Sequence, residues 1–313
     1  MPSDADQTET LSPIDRVIAR VQKTYRSWTR HTTDQEMRAD WDALMWSDAA
    51  PASVVETSAG GVPAAWIAAP NADAAKVVMY FHGGGFRVGS VRSHRDLMAR
   101  ISAASGSRVL GIDYRLAPEH RFPAALDDAC AAYEWLLAQG FGGGDIALAG
   151  DSAGGGLALS LALALRERKR PLPAAIVTLS AWTDLAAERQ SYQTRKEADP
   201  IHQRQMVLMM AKGYLGADAD ADPRDPLASP LHAALHGLPP LLMQVGDRET
   251  VLDDSRDFAA KAQEAGVDVT LEVWDGMIHV FQQFPEELPE ATQAIAAIGR
   301  FLQRHFGAGA RAV

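Results

Sequence analysis

The sequence of 313 residues has a single cysteine, Cys130, and no block of basic residues. One cysteine can form neither an intrachain disulfide nor a thiolate zinc cluster, which fits a reducing compartment. The 30 Lys and Arg residues are outnumbered by 40 Asp and Glu residues, and the net charge is −10. Nucleic acids and anionic membrane surfaces bind clustered positive charge, so both kinds of partner are disfavoured.

Long apolar runs and an export signal are missing as well. The longest apolar run, residues 157–165, is interrupted by Ser160 and is shorter than the ~20 residues that span a membrane. Asp4 and Asp6 stand where a signal peptide needs a basic start and an apolar core. We therefore expect no membrane insertion and a location in the cytoplasm. Cys130 lies in a helix-like stretch and is expected to be a small buried residue, not a nucleophile.

Short apolar runs alternate with helix-period segments over most of the chain. The runs are nearly continuous, as in buried parallel strands, and lie at 76–81, 108–112, 146–149, 174–179, 241–245 and 267–274. Helical periodicity is found at 97–104, 124–139, 155–168, 255–265 and 289–306. A hairpin pattern at 54–57 and 64–68 precedes them. The pattern predicts an α/β fold, a doubly wound sheet with an antiparallel start.

Two segments fall outside this alternation. Residues 1–50 have helical spacing and precede the first strand signal. Residues 188–237 contain no clear strand, but a helix-like stretch at 203–210 and a loop-like stretch at 218–223. Long insertions in compact domains are usually functional, so we expect both segments to cover the carboxyl edge of the sheet. The core is then formed by residues 51–187 and 238–313.

The sharpest chemical signal is the sequence GDSAG at residues 150–154, directly after one strand run and directly before a helical run. A serine hydroxyl is a poor nucleophile unless a tight turn holds it where a base can reach it. Small flanking residues permit that turn, and the strand-turn-helix setting is the one that the G-x-S-x-G motif requires. Ser152 is the predicted nucleophile.

A second signal, HGGGF at residues 82–86, follows the strand run 76–81. Successive glycines let backbone N–H groups turn toward a developing oxyanion. We predict an oxyanion hole formed by the N–H groups of Gly84, Gly85 and Ala153, with His82 as a hydrogen-bonding brace of the loop. Neither glycine loop matches a nucleotide-binding pattern, so no nucleotide cofactor is expected.

The base must follow the serine in this architecture, which leaves five histidines: His202, His232, His236, His279 and His305. His279 follows the strand run 267–274 and so falls on a loop at a carboxyl strand end; it is the predicted base. His232 and His236 are spaced i, i+4 but have no HExxH glutamate, so no metal site is expected. His305 lies in the last helical segment and is expected to be structural.

A third group must orient His279, and three acids compete for that role after the strand run 241–245. They are Asp247, Glu249 and Asp253. Asp253 falls at the start of a helical segment, where capping is the ordinary role of an aspartate. Spacing alone does not choose between Asp247 and Glu249.

Several motifs together resemble the hormone-sensitive-lipase-like branch of the α/β-hydrolases, the bacterial carboxylesterases with an HGGG motif and a GDSAG turn. Besides these two motifs, the chain has DYRLAPE at 113–119, FPAA at 122–125, DPLASPL at 225–231, LPP at 238–240 and GMIH at 276–279, in the order of that family. The resemblance covers the chain from about Gly60 onward. It implies an α/β-hydrolase fold with a mostly parallel, twisted eight-stranded sheet flanked by helices and a helical cap over the active site.

The resemblance also implies roles for individual residues. The family places its acid thirty residues before the histidine, which favours Glu249 over Asp247. Ser152 would attack the carbonyl of a short- to medium-chain acyl ester, His279 would transfer the proton, and no cofactor or metal would take part. The residues at 113–115 and Glu119 would brace the loop that faces the glycines. Candidates for lining an acyl pocket are Tyr192, Met206, Met209, Met210 and Phe281, although such apolar residues more often belong to the core. Related enzymes often form homodimers through an edge strand.

Two alternatives stay open at this stage. The same residues serve amide, sugar-acetate and lactone hydrolysis, because acyl transfer does not specify the leaving group. A ligand receptor built on an inactive hydrolase scaffold is the alternative outside enzymes. Such a receptor would lack one of the three side chains, whereas Ser152, a following acid and His279 are all present.

Overall fold

The computed structural model of the protein describes residues 11–216 and 222–306. Residues 218–221 of the expected loop at 218–223, residues 1–10 of the N-terminal segment and residues 307–313 of the core segment lie outside the described residues. The secondary structure elements below are numbered in chain order.

Eight strands form one sheet in the order β1-β2-β4-β3-β5-β6-β7-β8. The pairs β1–β2 and β2–β4 are antiparallel and all other pairs are parallel, which confirms the predicted doubly wound sheet with an antiparallel start. The strands are β1 (Ser53–Ala59), β2 (Val62–Ala68), β3 (Asp73–Phe81), β4 (Ser107–Ile112), β5 (Ile146–Asp151), β6 (Ala175–Leu179), β7 (Leu241–Gly246) and β8 (Val269–Trp274).

Helices cover both faces of this sheet. Their bounds are α1 (Pro13–Ser27), α2 (Asp34–Met45), α3 (Arg95–Ser105), α4 (Ala124–Ala138), α5 (Ala153–Glu167), α6 (Ser191–Thr194), α7 (Arg204–Leu215), α8 (Leu252–Glu264) and α9 (Pro289–His305). Helices α3 and α9 pack on one face, whereas α4, α5 and α8 pack on the other. In β3, Val77 and Met79 join one core cluster and Val78 and Tyr80 the other, as the period of two along a strand requires.

The last strand is shorter than its apolar run. The run begins at Val267, but β8 begins at Val269. The N–H of Val267 donates to the Ala262 carbonyl of α8, and Gly266 has a φ of +81°. Val267 therefore belongs to the turn that closes α8, because a glycine at positive φ ends the helix just before it.

The parallel strands deliver four loops to one edge of the sheet. Ser152 follows β5, His82 follows β3, Glu249 lies three residues after the end of β7, and His279 lies five residues after the end of β8. The carboxyl ends of parallel strands meet at the same edge, and the crevice there is the usual binding site of such sheets. Residues of α1, α2 and α7 border a cavity at this edge.

Candidate active site

Ser152 occupies a tight turn between β5 and α5. Its φ of +52° and ψ of −121° are rare for a residue with a side chain. Two neighbouring positions accept only glycine: a Cβ at Gly150 would lie 2.3 Å from the Gly154 carbonyl oxygen, and a Cβ at Gly154 would lie 2.1 Å from that of Phe81. The Ser152 N–H donates to the Leu179 carbonyl at 2.8 Å, which ties the turn to β6. The strained backbone is thus held from both sides.

His279 links the serine to a glutamate. Ser152 Oγ lies 2.9 Å from His279 Nε2, and His279 Nδ1 lies 2.7 Å from Glu249 Oε2. Glu249 is fully buried, and its second oxygen accepts from Ser180 Oγ at 2.7 Å and from the Gly246 N–H at 2.5 Å. Both carboxylate oxygens are therefore satisfied, and the arrangement assigns the proton on His279 to Nδ1 and leaves Nε2 as the acceptor for the serine hydroxyl.

The pKa of His279 is raised above its ordinary value. Burial of the ring disfavours the charged form, but the charge of Glu249, its hydrogen bond and the charge of Asp199 outweigh burial. An imidazolium formed at this position is therefore stabilised by the carboxylate behind it. A histidine in such a setting can accept a proton from one side while its orientation is held from the other.

The other two acids that compete in the sequence have different partners. Asp247 accepts from the N–H of Gly276 at 2.7 Å and so closes the turn after β8. Asp253 accepts from the N–H of Ser191 at 2.8 Å, while its own N–H donates to Ser191 Oγ at 3.0 Å. Neither acid contacts His279. Of the three, only Glu249 lies against the imidazole.

The glycine loop after β3 approaches the serine with unpaired N–H groups. Gly84 and Gly85 have φ values of +115° and +61°, and a Cβ at Gly84 would lie 2.2 Å from the Val88 carbonyl oxygen. Within the described part of the chain, the N–H groups of Gly84, Gly85 and Ala153 donate to no protein acceptor. Ala153 is the first residue of α5, where N–H groups lack intrahelical partners. These three groups can stabilise negative charge near Ser152.

Asp151, the residue before the serine, supports this loop. One carboxylate oxygen accepts from Tyr80 Oη at 2.7 Å and from the Gly83 N–H at 3.0 Å, and the other lies 3.3 Å from His94 Nε2. Burial opposes ionisation of Asp151, but His94 and these hydrogen bonds lower its pKa. The pKa of His94 is raised despite burial, chiefly by the charge of Asp151. The buried contacts of Asp151 with Tyr80, Gly83 and His94 thus anchor the loop.

His82 and Tyr114 pack under the same loop. Their rings stack at 4.3 Å, Tyr114 Oη donates to the His82 carbonyl at 2.6 Å, and His82 Nδ1 lies 2.9 Å from the Gly83 carbonyl oxygen. Burial and the neighbouring His94 lower the pKa of His82 to about 3, so its ring is neutral. The 113–119 loop contacts the glycine loop through the Ala117 N–H, which donates to the Phe86 carbonyl at 2.8 Å. Arg115 pairs with Asp128 of α4 at 2.8 Å and Glu119 pairs with Arg38 of α2 at 2.7 Å, and both pairs hold the 113–119 loop.

A cavity of about 840 Å³ opens above Ser152 and His279. Its wall is mainly apolar and comes from α1, α2 and α7 as well as from the core. The lining residues include Tyr25, Trp28, Met37, Trp41, Met206, Met209, Met210 and Tyr214. The predicted lining role of the three methionines thus matches their positions.

Tyr192 and Phe281 do not line the cavity but are buried in the core, which is the alternative that the sequence left open for them. Tyr192 is buried on α6, which the Ser191–Asp253 hydrogen bonds hold against α8. Phe281 packs against Trp274 at 5.5 Å, within a core cluster that also contains Val21. Both side chains contribute to the hydrophobic core because the loops that carry them turn away from the cavity.

Sequence reasoning missed three residues around His279. Ser180 Oγ donates to Glu249 and accepts from the N–H of Val280 at 3.0 Å. The ring of His202 lies 4.4 Å from that of His279, and Asp199 accepts from the Thr250 N–H at 2.7 Å. Ser180 directly follows a strand, as Ser152 does, and a polar residue at the carboxyl end of a strand is a signal for the site that the sequence offers. Nothing in the spacing of Asp199 and His202 points to the site.

The remaining candidates from the sequence have ordinary contacts. His232 Nε2 lies 3.0 Å from Asp184 Oδ1, the His305 ring packs on Phe301, and Cys130 is buried, with burial raising the pKa of its thiol. Across residues 11–216 and 222–306, no three His, Cys, Asp or Glu side chains cluster as metal ligands do. In the same residues, no helix combines the length and the hydropathy needed to cross a bilayer.

Comparison with known proteins agrees with this geometry. Residues 78–283 match a family model described as having the alpha/beta hydrolase fold. The chain is 44% identical to an acetyl-hydrolase of Streptomyces hygroscopicus over 83% of this chain and 85% of that protein, and 39% identical to an esterase of Acinetobacter venetianus over 74% and 76%.

A solved structure is similar over nearly the whole chain. It is an esterase from the bacterial hormone-sensitive lipase family, with 46% identity, a TM-score of 0.89, and coverage of 98% of this chain and 100% of that one. The chain therefore belongs to the α/β-hydrolase family, in its hormone-sensitive-lipase branch of bacterial esterases, and is a carboxylic ester hydrolase.

Proposed function

We propose that the protein hydrolyses short- to medium-chain acyl esters through an acyl-enzyme on Ser152, with His279 as the base and Glu249 as the acid that orients it. The observation that carries the proposal is the chain of hydrogen bonds from Glu249 through His279 to Ser152, at 2.7 and 2.9 Å. It lies beside N–H groups that have no partner in the described residues. Nucleophile, base and oxyanion donors are the three parts that acyl transfer needs.

In the acylation half of the reaction, Ser152 Oγ attacks the ester carbonyl carbon while His279 Nε2 takes the hydroxyl proton. The carbonyl π electrons move to oxygen, and the N–H groups of Gly84, Gly85 and Ala153 bind the resulting oxyanion. Glu249 stabilises the imidazolium but does not itself take the proton. Collapse of the tetrahedral intermediate breaks the bond to the alkoxy oxygen, which receives the proton from His279 and leaves as the alcohol.

In the deacylation half, water takes the place of the alcohol. His279 removes a proton from the water as the water oxygen attacks the acyl carbon, and the same N–H groups bind the second oxyanion. Collapse then releases the carboxylic acid and returns the proton to Ser152 Oγ. The side chains of the chain suffice for every proton transfer in this cycle.

The cavity and one relative support the proposed range of acyl chains. A mainly apolar space of about 840 Å³ accommodates an alkyl chain together with an alcohol portion. The similar protein from Streptomyces hygroscopicus is named an acetyl-hydrolase, which favours the short end of the range. Amides and lactones present the same carbonyl to the site, but no contact in the structure favours them.

We also propose that residues 1–50 and 188–237 form a helical cap over a hydrolase core of residues 51–187 and 238–313. Helices α1, α2 and α7 contribute lining residues to the cavity, which supports the division. Arg38 of α2 contacts Glu119, and Arg87 after the glycine loop contacts Asp34 of α2 at 2.5 Å. These ion pairs connect the cap to the core beside the oxyanion donors.

A homodimer and a cytoplasmic location belong to the same proposal. The location rests on the single cysteine, which is typical of proteins in reducing compartments. Light scattering coupled to size-exclusion chromatography measures the mass of the particle: about twice 33.7 kDa supports the homodimer, and 33.7 kDa rejects it. Fractionation of cells that make the protein tests the location.

A panel of p-nitrophenyl esters tests the proposed activity. We expect turnover of the acetate, butyrate and octanoate, and far slower turnover of the palmitate. A phosphonate inhibitor should attach at Ser152 and should label neither Cys130 nor Ser152→Ala. Labelling at Cys130 contradicts the mechanism. Folded protein that turns over none of the four esters rejects the esterase assignment and favours a receptor on an inactive scaffold.

A further inference from the structure

The imidazole of His202 packs against the imidazole of His279. The ring centroids are 4.4 Å apart and the planes are inclined by 71°, so one ring meets the other edge to face. His202 also lines the catalytic cavity and is 8% exposed. It stands at the end of the segment 198–202, which precedes α7 and is called the 198–202 loop below. The mechanism proposed above gives His202 no role.

The 198–202 loop is held rigidly against the acid of the site. Asp199 accepts from the N–H groups of Ile201 and His202 with one oxygen, each at 2.9 Å. Its other oxygen accepts from the N–H and the hydroxyl of Thr250, the residue after Glu249, at 2.7 and 3.0 Å.

Two long side chains secure the same loop from other elements. Arg248 donates to the Ala198 carbonyl at 3.2 Å, and Gln22 of α1 donates to the Pro200 carbonyl at 2.7 Å. A ring fixed in this way loses little conformational freedom when it binds a substrate.

The ring of His202 is a neutral group with one unused nitrogen on the cavity side. Nδ1 is buried and has no hydrogen-bond partner among the described residues, so the nitrogen that remains to face the cavity is Nε2. Burial and the nearby His279 lower the pKa of His202 to about 3, while Asp199 acts in the opposite direction. Tyr25 of α1 also packs on the ring, at 6.3 Å. A neutral imidazole presents a donor or an acceptor at Nε2, depending on its tautomer.

The reaction places the alcohol portion of the ester beside this nitrogen. His279 Nε2 must deliver its proton to the alkoxy oxygen, so that oxygen lies against the His279 ring when the bond breaks. The substituent on the alkoxy oxygen then extends into the part of the cavity that His202 borders. His202 lines the cavity and its ring packs directly on the ring of the base.

We propose that His202 determines alcohol specificity by hydrogen-bonding a hydroxyl on the alcohol portion of the substrate, so that monoesters of diols and polyols are preferred to esters of plain alkanols. A hydroxyl fits because it both donates and accepts, and therefore pairs with Nε2 in either tautomer. A site built to pair with a hydroxyl discriminates strongly against an isostere that lacks one, because its polar group is left unpaired. This inference rests on the proposed esterase function.

The test compares 2-hydroxyethyl butyrate with n-propyl butyrate, whose alcohol portions have equal numbers of heavy atoms. Values of kcat/KM are measured by pH-stat titration and divided by the rate of hydroxide-catalysed hydrolysis of each ester. We expect the wild-type ratio to favour the hydroxyethyl ester by about tenfold. His202→Phe should reduce the ratio by about tenfold. Because the propyl ester has no hydroxyl to lose, its own kcat/KM should fall less in this variant than that of the hydroxyethyl ester.

Two further variants separate the hydrogen bond from packing. His202→Gln places an amide near the position of Nε2 and should retain part of the preference. His236→Phe, at an exposed histidine outside the cavity, should leave the ratio unchanged. A wild-type enzyme that prefers the propyl ester overturns the inference without any variant, as does an unchanged ratio in folded His202→Phe. If only the propyl ester is turned over, the esterase function is supported and the role of His202 is rejected. If neither ester is turned over, both proposals are rejected.

Discussion

Two buried histidine–carboxylate pairs lie side by side at the catalytic edge of the sheet, and they differ in what the second ring nitrogen contacts. His279 is bound to Glu249 at 2.7 Å, and its other nitrogen lies 2.9 Å from Ser152 Oγ at the cavity. His94 lies 3.3 Å from Asp151 and also borders the cavity, but its other nitrogen lies 2.9 Å from Ser93 Oγ and 3.2 Å from the Ser90 carbonyl oxygen, so no nucleophile contacts the ring. The pKa of each imidazole is raised despite burial.

The comparison indicates that a histidine next to a carboxylate acts as a base only when its second ring nitrogen contacts a nucleophile. Both carboxylate oxygens of Asp151 have partners, namely Tyr80, Gly83 and His94. The carboxylate therefore holds the glycine loop in place and takes no part in proton transfer. In the other pair, the free end of the ring meets a hydroxyl that a substrate can reach. We therefore propose that His279 transfers the proton and that His94 positions the glycine loop, and the predictions below test that division.

The largest expected contrast comes from the two histidines. His279→Gln should lower kcat by at least ~10⁴-fold, because it removes the proposed base. His94→Gln should lower kcat by only ~10- to 100-fold, but it leaves the buried carboxylate of Asp151 without its histidine partner and should therefore lower the melting temperature.

The measurements are turnover of p-nitrophenyl butyrate and thermal unfolding followed by circular dichroism. Equal losses of kcat in the two variants, with unchanged melting temperatures, would contradict the division between the pairs. Each histidine serves as the control for the other, since each contacts a buried carboxylate.

Glu249 and Asp247 provide the next contrast. Glu249→Gln should lower kcat by about 10³-fold, because the amide neither fixes the tautomer of His279 nor stabilises the imidazolium. Asp247→Asn should change kcat less than about threefold, since Asp247 accepts only from the Gly276 N–H and an amide oxygen can replace it. Steady-state kinetics of the two variants gives the answer. A larger loss for Asp247→Asn would transfer the acid role to Asp247.

The pH profile tests the raised pKa of His279. The base must be neutral to accept the serine proton, so kcat/KM should fall as the pH drops through a pKa above the ordinary 6.5. Below that pKa we expect a loss of roughly tenfold per pH unit. Glu249→Gln should move the acidic limb to lower pH, because the carboxylate that favours the charged ring is gone. A limb that does not move, measured with an ester that does not ionise in this range, would mean that a different group limits activity.

Much of this site is readable from the sequence because it depends on local pattern. The alternation of apolar runs and helical segments predicts the sheet, and GDSAG between a strand and a helix predicts the turn at Ser152. The acid is different. Spacing alone left Asp247 and Glu249 open, and resemblance to a family favoured Glu249, which is the acid that contacts His279.

The rest depends on contacts between distant parts of the chain. Ser180 reaches Glu249 across 69 residues, and Thr250 reaches Asp199 across 51. No local pattern records such contacts, and for the same reason the sequence did not decide whether Tyr192 and Phe281 line the pocket or pack in the core, where the structure has them. The sequence motifs thus identify the reacting groups, whereas the supporting groups appear only when the chain is folded.

The smallest expected effect concerns Asp151, on the static side of the comparison. Asp151→Asn keeps an oxygen for Tyr80 and the Gly83 N–H but removes the charge that pairs with His94. We expect kcat to fall by about tenfold with little change in KM, since the glycine loop loses part of its support for a charge that develops only in the transition state. Asp113→Asn is the matched control, because Asp113 accepts from the Val91 N–H at 2.7 Å on the next loop and contacts none of the oxyanion donors. If Asp151→Asn lowers kcat as much as Glu249→Gln does, then Asp151 does more than hold the loop, and the two histidine–carboxylate pairs differ less in function than their geometry indicates.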